Sequence, residues 1–458
     1  VQNDAAKMGE ESITRLLFRF SLPATLGMLV MATYNIVDTI FVGRLGSQAI
    51  AALSIAFPIQ MLLGAVGIGT GVGAASLISR SLGAGDREEA ESAAGQVVTL
   101  ALLFGLVTAL IGFLYLRPLL VFLGTTAEIL PLTKEYMIVI TGGSVMLFLI
   151  MILNNVVRAE GNPLLSMKVM IASALINIAL DPIFIFLLGM GVQGAAVATV
   201  LSKIVGVAIM LYHFFWGKSV LKLHRSRLRL RWGTILNIYR IGFPAMVMKL
   251  STNIALIMAN NILAGYGHIP IAVMGLVFRL QMFSFMPVFG ISQGLLPIIG
   301  FNYGAGKPGR IREALLKGAA ISTAANILAA AAFLINPVFF LGLFSSEKEL
   351  LSIGSEALRI MVVMFPLIGI QIVSTTFFQA IGKGLPSLLL SLMRELMLFI
   401  PFVLVMSSIF GLTGVWISRP LSDLLAFVVT VILLSAELKR QGIPLRSPGT
   451  SAGKTAGL

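Results

Sequence analysis

The chain has 458 residues, of which 57% are hydrophobic and 11% charged, whereas a soluble domain carries about 25% charged residues. A mean hydropathy of +0.98 excludes a soluble fold. The lack of cysteine and the scatter of three histidines (His213, His224, His268) exclude disulfides, thiolate metal sites and a histidine metal centre. The formal net charge of +14 would point to nucleic acid in a soluble protein; here it collects in short loops, the pattern that orients membrane proteins.

Successive apolar runs are each long enough for the ~20 residues that cross a bilayer as a helix. They predict spans at 16–42, 49–79, 94–116, 129–157, 164–189, 194–216, 235–263, 270–300, 313–343, 352–381, 386–410 and 413–437. Turn chemistry separates them, in "GAGD" (83–86), "EGNP" (160–163), "GMGVQG" (189–194), "GAGKPG" (304–309) and "GKGLP" (382–386). The expected fold class is an all-α membrane protein with 12 transmembrane helices in two six-helix lobes. The expected organisation is an N-terminus at 1–15, a first lobe at 16–217, a basic linker at 218–234, a second lobe at 235–440 and a tail at 441–458. No signal peptide is evident, since the first apolar run is too long for a signal h-region.

In chain order, span 1 carries Pro23, which predicts a hinge, and then Tyr34, Asn35 and Asp38 on one helical face. Span 2 contains "GIGTGVGAAS" (67–76), whose glycine spacing imitates a dinucleotide loop. With no strand before it, it reads as a close helix–helix contact. Span 4 brings the adjacent amides Asn154 and Asn155 into an apolar run, and span 5 places Ser173, Asn177 and Asp181 on one face just before Pro182. Span 6 adds Lys203. Methionine is abundant, with 22 residues including Met170, and its soft side chains suit a promiscuous pocket as well as ordinary packing.

The basic residues lie mainly on one side. Arg80, Arg87, Arg158, Lys168, Lys307, Arg310, Arg312, Lys317 and the run "KSVLKLHRSRLRLRW" (218–232) share the side of both termini. That side is expected to be cytoplasmic, in a cell inner (plasma) membrane, with the basic linker on lipid headgroups rather than nucleic acid.

The halves repeat. "SLPA" (21–24) returns as "GFPA" (242–245), an offset of 221 that also relates Phe57 to Phe278, Gly69 to Gly290, Gly73 to Gly294 and the two "GAG" turns. Six spans per half give the repeats one orientation, as in alternating-access transporters. The second half does not copy the acids: Asp38 maps to Ala259, and its own charges are Lys249, Arg279, Arg394, Glu395, Arg419 and Asp423. These are expected to be a possible charge network that locks helices rather than a second ion site.

A membrane-embedded charge is costly and is a functional candidate by default. If Asp38 and Asp181 face one cavity they repel, so one holds a proton or both share a cation. Carboxylate, amide and hydroxyl oxygens suit Na⁺, and a carboxylate alone suits a proton. No Walker motif and no nucleophile–base constellation appear, so neither ATP drive, a resident cofactor nor an enzyme is expected.

The residues "YNIVDTIFVGRLG" (34–46), "NIALDPIF" (177–184), "EGNP", the paired "GAG" loops and the six-plus-six pattern resemble the multidrug and toxic compound extrusion (MATE) family over about Arg15 to Arg440. The resemblance implies export of cationic or amphipathic small molecules in exchange for Na⁺ or H⁺ by a monomer. In the prokaryotic branch with an acidic first lobe, it implies cation binding at Asp38, Asn177, Asp181 and Thr199. It also implies a drug cavity lined by Tyr34 and Asn154, joined here by Asn155 and Met170, and bending at Pro23. The competing readings are a lipid-linked sugar flippase of the same superfamily and a non-transporting membrane scaffold or receptor.

Overall fold

The computed structural model describes residues 4–217 and 219–443; Lys218 of the linker and residues 444–458 of the expected tail lie outside the described residues. The elements in order are α1 (Asp4–Glu10), α2 (Ile13–Gly43), α3 (Ser47–Gly83), α4 (Arg87–Phe122), α5 (Leu130–Gly142), α6 (Ser144–Ala159), α7 (Pro163–Pro182), α8 (Gly191–Phe215), α9 (Trp232–Leu263), α10 (His268–Gly304), α11 (Pro308–Ile335), α12 (Pro337–Gly342), α13 (Lys348–Met361), α14 (Phe365–Ala380), α15 (Gly384–Leu392) and α16 (Phe399–Arg440). Wider π turns follow α7 at Ile183–Leu187 and α15 at Met393–Leu398.

Among the described residues nine helices are long and apolar enough to cross a membrane, and α5–α6 and α13–α14 each make a further span bent by 53° and 54°. The stretch Gly384–Arg440 counts once in that set, yet Gly411 breaks it with φ 60° and ψ −136°. Twelve spans result, six in each half, as expected. Apolar runs continue as helix because lipid offers the backbone no hydrogen-bond partner. They end where the sequence supplies caps. Asp86 accepts from the Glu89 amide and Asn162 from the Leu165 amide, the latter with Pro163 opening α7. The two "GAG" turns are matched by positive φ at Gly85 (78°) and Gly306 (62°).

The lobes meet through α2 and α3 on one side and α9 and α10 on the other. These contacts need glycine. A Cβ on Gly69 would fall 2.7 Å from the Gly242 carbonyl oxygen, on Gly73 2.2 Å from that of Ile238, and on Gly304 2.0 Å from that of Arg80. The stretch 67–76 is thus a helix-crossing surface, not a nucleotide loop. At the opposite end, the symmetry-related Gly46 and Gly267 meet nothing within 4 Å, so the tight crossings belong to the basic half of the molecule. There α1 seals the join: Asn302 Nδ2 and Arg310 Nη2 donate to the Met8 carbonyl at 2.9 and 3.1 Å, and Lys307 Nζ to that of Gly9 at 2.9 Å. The linker is strapped to α4 by Gln96, which donates to the carbonyls of Arg227 and Arg229 at 3.1 and 2.7 Å and accepts from the Arg231 amide at 2.9 Å.

This crossing gives an expected result. A Cβ on Gly83 would lie 1.9 Å from the Phe301 carbonyl oxygen, so Gly83→Val should hold the lobes apart at the basic end. Overpacking against backbone costs about 1–3 kcal/mol, enough to raise the parted population roughly 5- to 150-fold. The chain has no cysteine, so maleimide labelling of Ser79→Cys, at a fully buried position, reports the parting directly. Labelling unchanged by Gly83→Val would mean the contact is not a gate.

Candidate functional site

Asp38 sits near the end of α2, whose face toward α7 also carries buried Tyr34. On α7, Asn177 and Asp181 stand one turn apart and are both fully buried. Asn177 Nδ2 donates to Asp181 Oδ1 and to Thr199 Oγ1 of α8, each at 3.4 Å. These long contacts leave oxygen unmatched. Asp38 Oδ1, Asn177 Oδ1 and Asp181 Oδ2 are buried without a hydrogen-bond partner, as is Ser173 Oγ two turns before Asp181. Asp38 and Asp181 are close enough for each other's charge to matter. The structure therefore gathers Asp38, Asn177, Asp181 and Thr199, which lie on three helices. Buried oxygen acceptors left without donors favour a proton or a hard cation, because an unmet buried polar group costs about 1–3 kcal/mol and a charge more.

Pro182 has no N–H to donate, and directly after it the helix widens into the π turn Ile183–Leu187. The loosened backbone lies next to Asp181.

Three more residues adjoin the cluster, Tyr136, Gln60 and Lys203, of which the sequence singled out only Lys203. Tyr136 of α5 is buried; its hydroxyl accepts from Gln60 Nε2 at 2.9 Å and lies in the electrostatic reach of Asp38, Tyr34 and Asp181. Lys203, one turn beyond Thr199, donates to the Tyr34 hydroxyl at 3.4 Å and holds its ammonium 4.9 Å from the ring centroid. Tyr34 is thus already engaged by an internal cation.

The paired amides of α6 divide. Asn154 is engaged inside the lobe, donating to the Ile150 carbonyl at 2.8 Å and accepting from Ser166 Oγ at 2.8 Å. Asn155 instead lines a cleft between the lobes. Adjacent residues on a helix point about 100° apart, so only one of them could face the cleft. Met170 packs over Gly27, where a Cβ would lie 2.9 Å from its sulfur; it wedges between α7 and α2. Helix α2 runs unbroken through buried Pro23.

In the second lobe Arg419 grips Glu395 through two bonds of 2.9 and 3.0 Å, and Arg394 Nε meets Asp423 Oδ1 at 2.7 Å. Lys249 and Arg279, grouped with these four in the sequence, are exposed and make no ion pair among the described residues: they lie on α9 and α10, whereas the quartet lies on the second π turn and α16. The repeat shows where the quartet stands. Gly191 and Gly411 adopt matching positive φ, 56° and 60°, and this register of 220 pairs Thr199 with Arg419 and Lys203 with Asp423. The 221 register is equally visible: Arg158 donates to Ser166 Oγ at 3.0 Å as Gln379 does to Ser387 Oγ at 3.2 Å. The second lobe fills the place of the Thr199 region with its own guanidinium.

The comparisons agree with this architecture. The family model described as MatE matches residues 23–183 and again 244–405, two matches whose starts are 221 residues apart. The chain is similar to the multidrug export protein MepA of Staphylococcus aureus (strain MSSA476), 30% identical over 428 residues that cover 92% of this chain and 94% of that one. It is similar to a structure described as an outward-facing conformation of a multidrug resistance MATE family transporter of the MOP superfamily, with a TM-score of 0.90, 27% identity, and 96% and 98% of the two chains covered. A MOP superfamily transporter from Pyrococcus furiosus, described as having a binding pocket of reverse polarity that suggests a different function, gives 0.90 at 26% identity over 96% and 99%. Twelve spans in two repeats, matched twice by one family model, make the chain a multi-pass membrane transporter of the MATE family.

Proposed function

We propose that this protein is a multidrug efflux antiporter that exports cationic or amphipathic compounds in exchange for H⁺ or Na⁺, coupled through Asp38 and Asp181. The observation that carries the reading is the set of buried, partnerless oxygens of Asp38, Asn177 and Asp181. The multidrug export relative supports the cargo class. The protein works as a monomer in the plasma membrane with its basic end in the cytoplasm, following the distribution of Lys and Arg. With the lobes closed at that end, the described state faces outward.

In the outward-facing state a proton or Na⁺ enters the cluster. Repulsion between the two carboxylates then falls, Asn177 and Thr199 complete the ligand set for a metal ion, and α2 draws toward α7. Pro23 leaves the Arg19 carbonyl without its helical donor, which makes that turn the hinge for the movement. The altered face of α2, including Tyr34, then releases the cargo. Coupling requires only that ion and cargo favour different states. An inside-negative potential assists cation entry by about 2.3 kcal/mol per charge per 100 mV.

Lys249 and Arg279, exposed and unpaired in the second lobe, favour one second reading, a lipid-linked sugar flippase whose anionic headgroup they would meet. Proteoliposomes loaded with a fluorescent organic cation, given separate Na⁺ and pH gradients, decide between the two. Dye extrusion driven by one gradient is the expected result. No extrusion under either, with translocation of an anionic lipid, would establish the flippase instead.

A further inference from the structure

A small cleft of about 70 Å³, room for a carboxylate group rather than for a whole drug-sized molecule, lies between the lobes, bounded by α3 and α6 on one side and α10 and α14 on the other. Its lining is apolar except for Asn155, Arg158, Ser292, Gln293 and Gln379. Among the described residues Arg158 is the one charged side chain that lines it, and no carboxylate pairs with it. Its guanidinium is buried, donating from Nη1 to Ser166 Oγ at 3.0 Å and from Nη2 to Asn155 Oδ1 at 2.8 Å; among the described residues Nε has no acceptor. Of the amides that line the cleft, Asn155 and Gln379 are engaged by oxygen partners and Gln293 is not. Gln293 Nε2 points at the sulfur of Met28 at 3.0 Å, a weak acceptor. The second lobe has neutral Gln379 where the first has Arg158, so packing at this position does not demand a charge.

A buried guanidinium without a counter-charge is expensive, and its planar fork is shaped for a carboxylate. Two neutral oxygens hold the fork in place and leave its charge unanswered.

We infer that this cleft is an anion subsite, in which Arg158, aided by the Gln293 amide, receives a carboxylate carried by the cargo, so that the protein accepts amphoteric as well as purely cationic compounds. The inference rests on the export reading above and adds a specificity to it. No proton or electron changes hands: the carboxylate enters ionised and replaces water at the free N–H groups. A charge-assisted hydrogen bond of this kind corresponds to about 10- to 100-fold in affinity.

Rhodamine 110 and rhodamine 123 test it, since the second is the methyl ester of the first and differs by one carboxylate. Binding to the purified full chain is followed by fluorescence anisotropy. The expected result is tighter binding of rhodamine 110, about 10-fold or more, lost in Arg158→Gln and partly restored in Arg158→Lys, with rhodamine 123 affinity unchanged throughout. Equal affinity of the wild-type protein for the two dyes overturns the inference without any variant, so a misfolded Arg158→Gln cannot shelter it. Parallel loss of both dyes in well-folded Arg158→Gln also overturns it, because that marks a structural role. Binding needs no ion gradient, so failure of the antiport reading would show separately, as absence of rhodamine 123 extrusion under either gradient.

Discussion

Asp181→Asn should uncouple the protein: ion-driven export falls to the passive leak while the purified protein still binds its cargo. Asparagine keeps the shape and the contact with Asn177 but removes the charge at a position with no solvent exposure. With the coupling energies usual between two sites, ~1–3 kcal/mol, the loss spans about 5- to 150-fold. Asp38→Asn should match it, and the double variant should be no worse than either, because the two carboxylates act as one unit. A second readout separates coupling from mere architecture. Asp181 Oδ2 is a buried oxygen without a donor, so removing its charge should leave thermal stability unchanged or raise it. A residue retained for packing would lose stability on substitution. Export in Asp181→Asn at the wild-type rate, under whichever gradient drives the wild type, would take the residue out of the mechanism.

The sequence carried the membrane helices and their repeat because both follow from patterns along the chain. Apolar length, turn residues and the 221 register need no knowledge of packing. The first-lobe acids were legible for the same reason: Asn177 and Asp181 share a face by spacing alone. What spacing does not carry is which long-range neighbours a helix meets. Tyr136 joins the cluster through the bend between α5 and α6, and its sequence surroundings resemble any other apolar run. Asn154 and Asn155 differ only in which face of α6 meets the other lobe. Thr199 became visible only through the family resemblance. Lys249 and Arg279 were grouped with the second-lobe charges because composition records a charge without recording its direction. The final helix is a place where the apolar pattern sufficed: it separated spans 11 and 12, and the backbone breaks between them at Gly411, with φ 60° and ψ −136°.

Arg419→Met should destabilise the protein by about 3–5 kcal/mol, the cost of leaving a buried charge without its partner. Two of the quartet's members lie on the π turn Met393–Leu398 and two, Arg419 and Asp423, one turn apart on α16. Removing Arg419 strips Glu395 of both its short bonds and leaves it only Arg394 Nη1 at 3.6 Å. The effect should be largely reversed by adding Glu395→Leu, since a buried ion pair replaced by apolar side chains of similar size is often neutral or stabilising. The double-mutant cycle then isolates the coupling within the pair. Thermal melts in detergent measure all three variants, and melts repeated with and without Na⁺ distinguish a structural clamp from an ion site. A clamp predicts no Na⁺ dependence of the quartet's contribution; an added shift with Na⁺ that vanishes in the variants would mark a second ion site. Arg419 stands at the repeat position of Thr199, and the acids it answers are held at fixed distances by two helices. Under the proposed antiport, the second lobe carries permanently the positive charge that the first lobe would capture from solution. On that proposal one lobe is responsive and the other constant, and the ion-dependent movement belongs to α2 rather than to its repeat, α9.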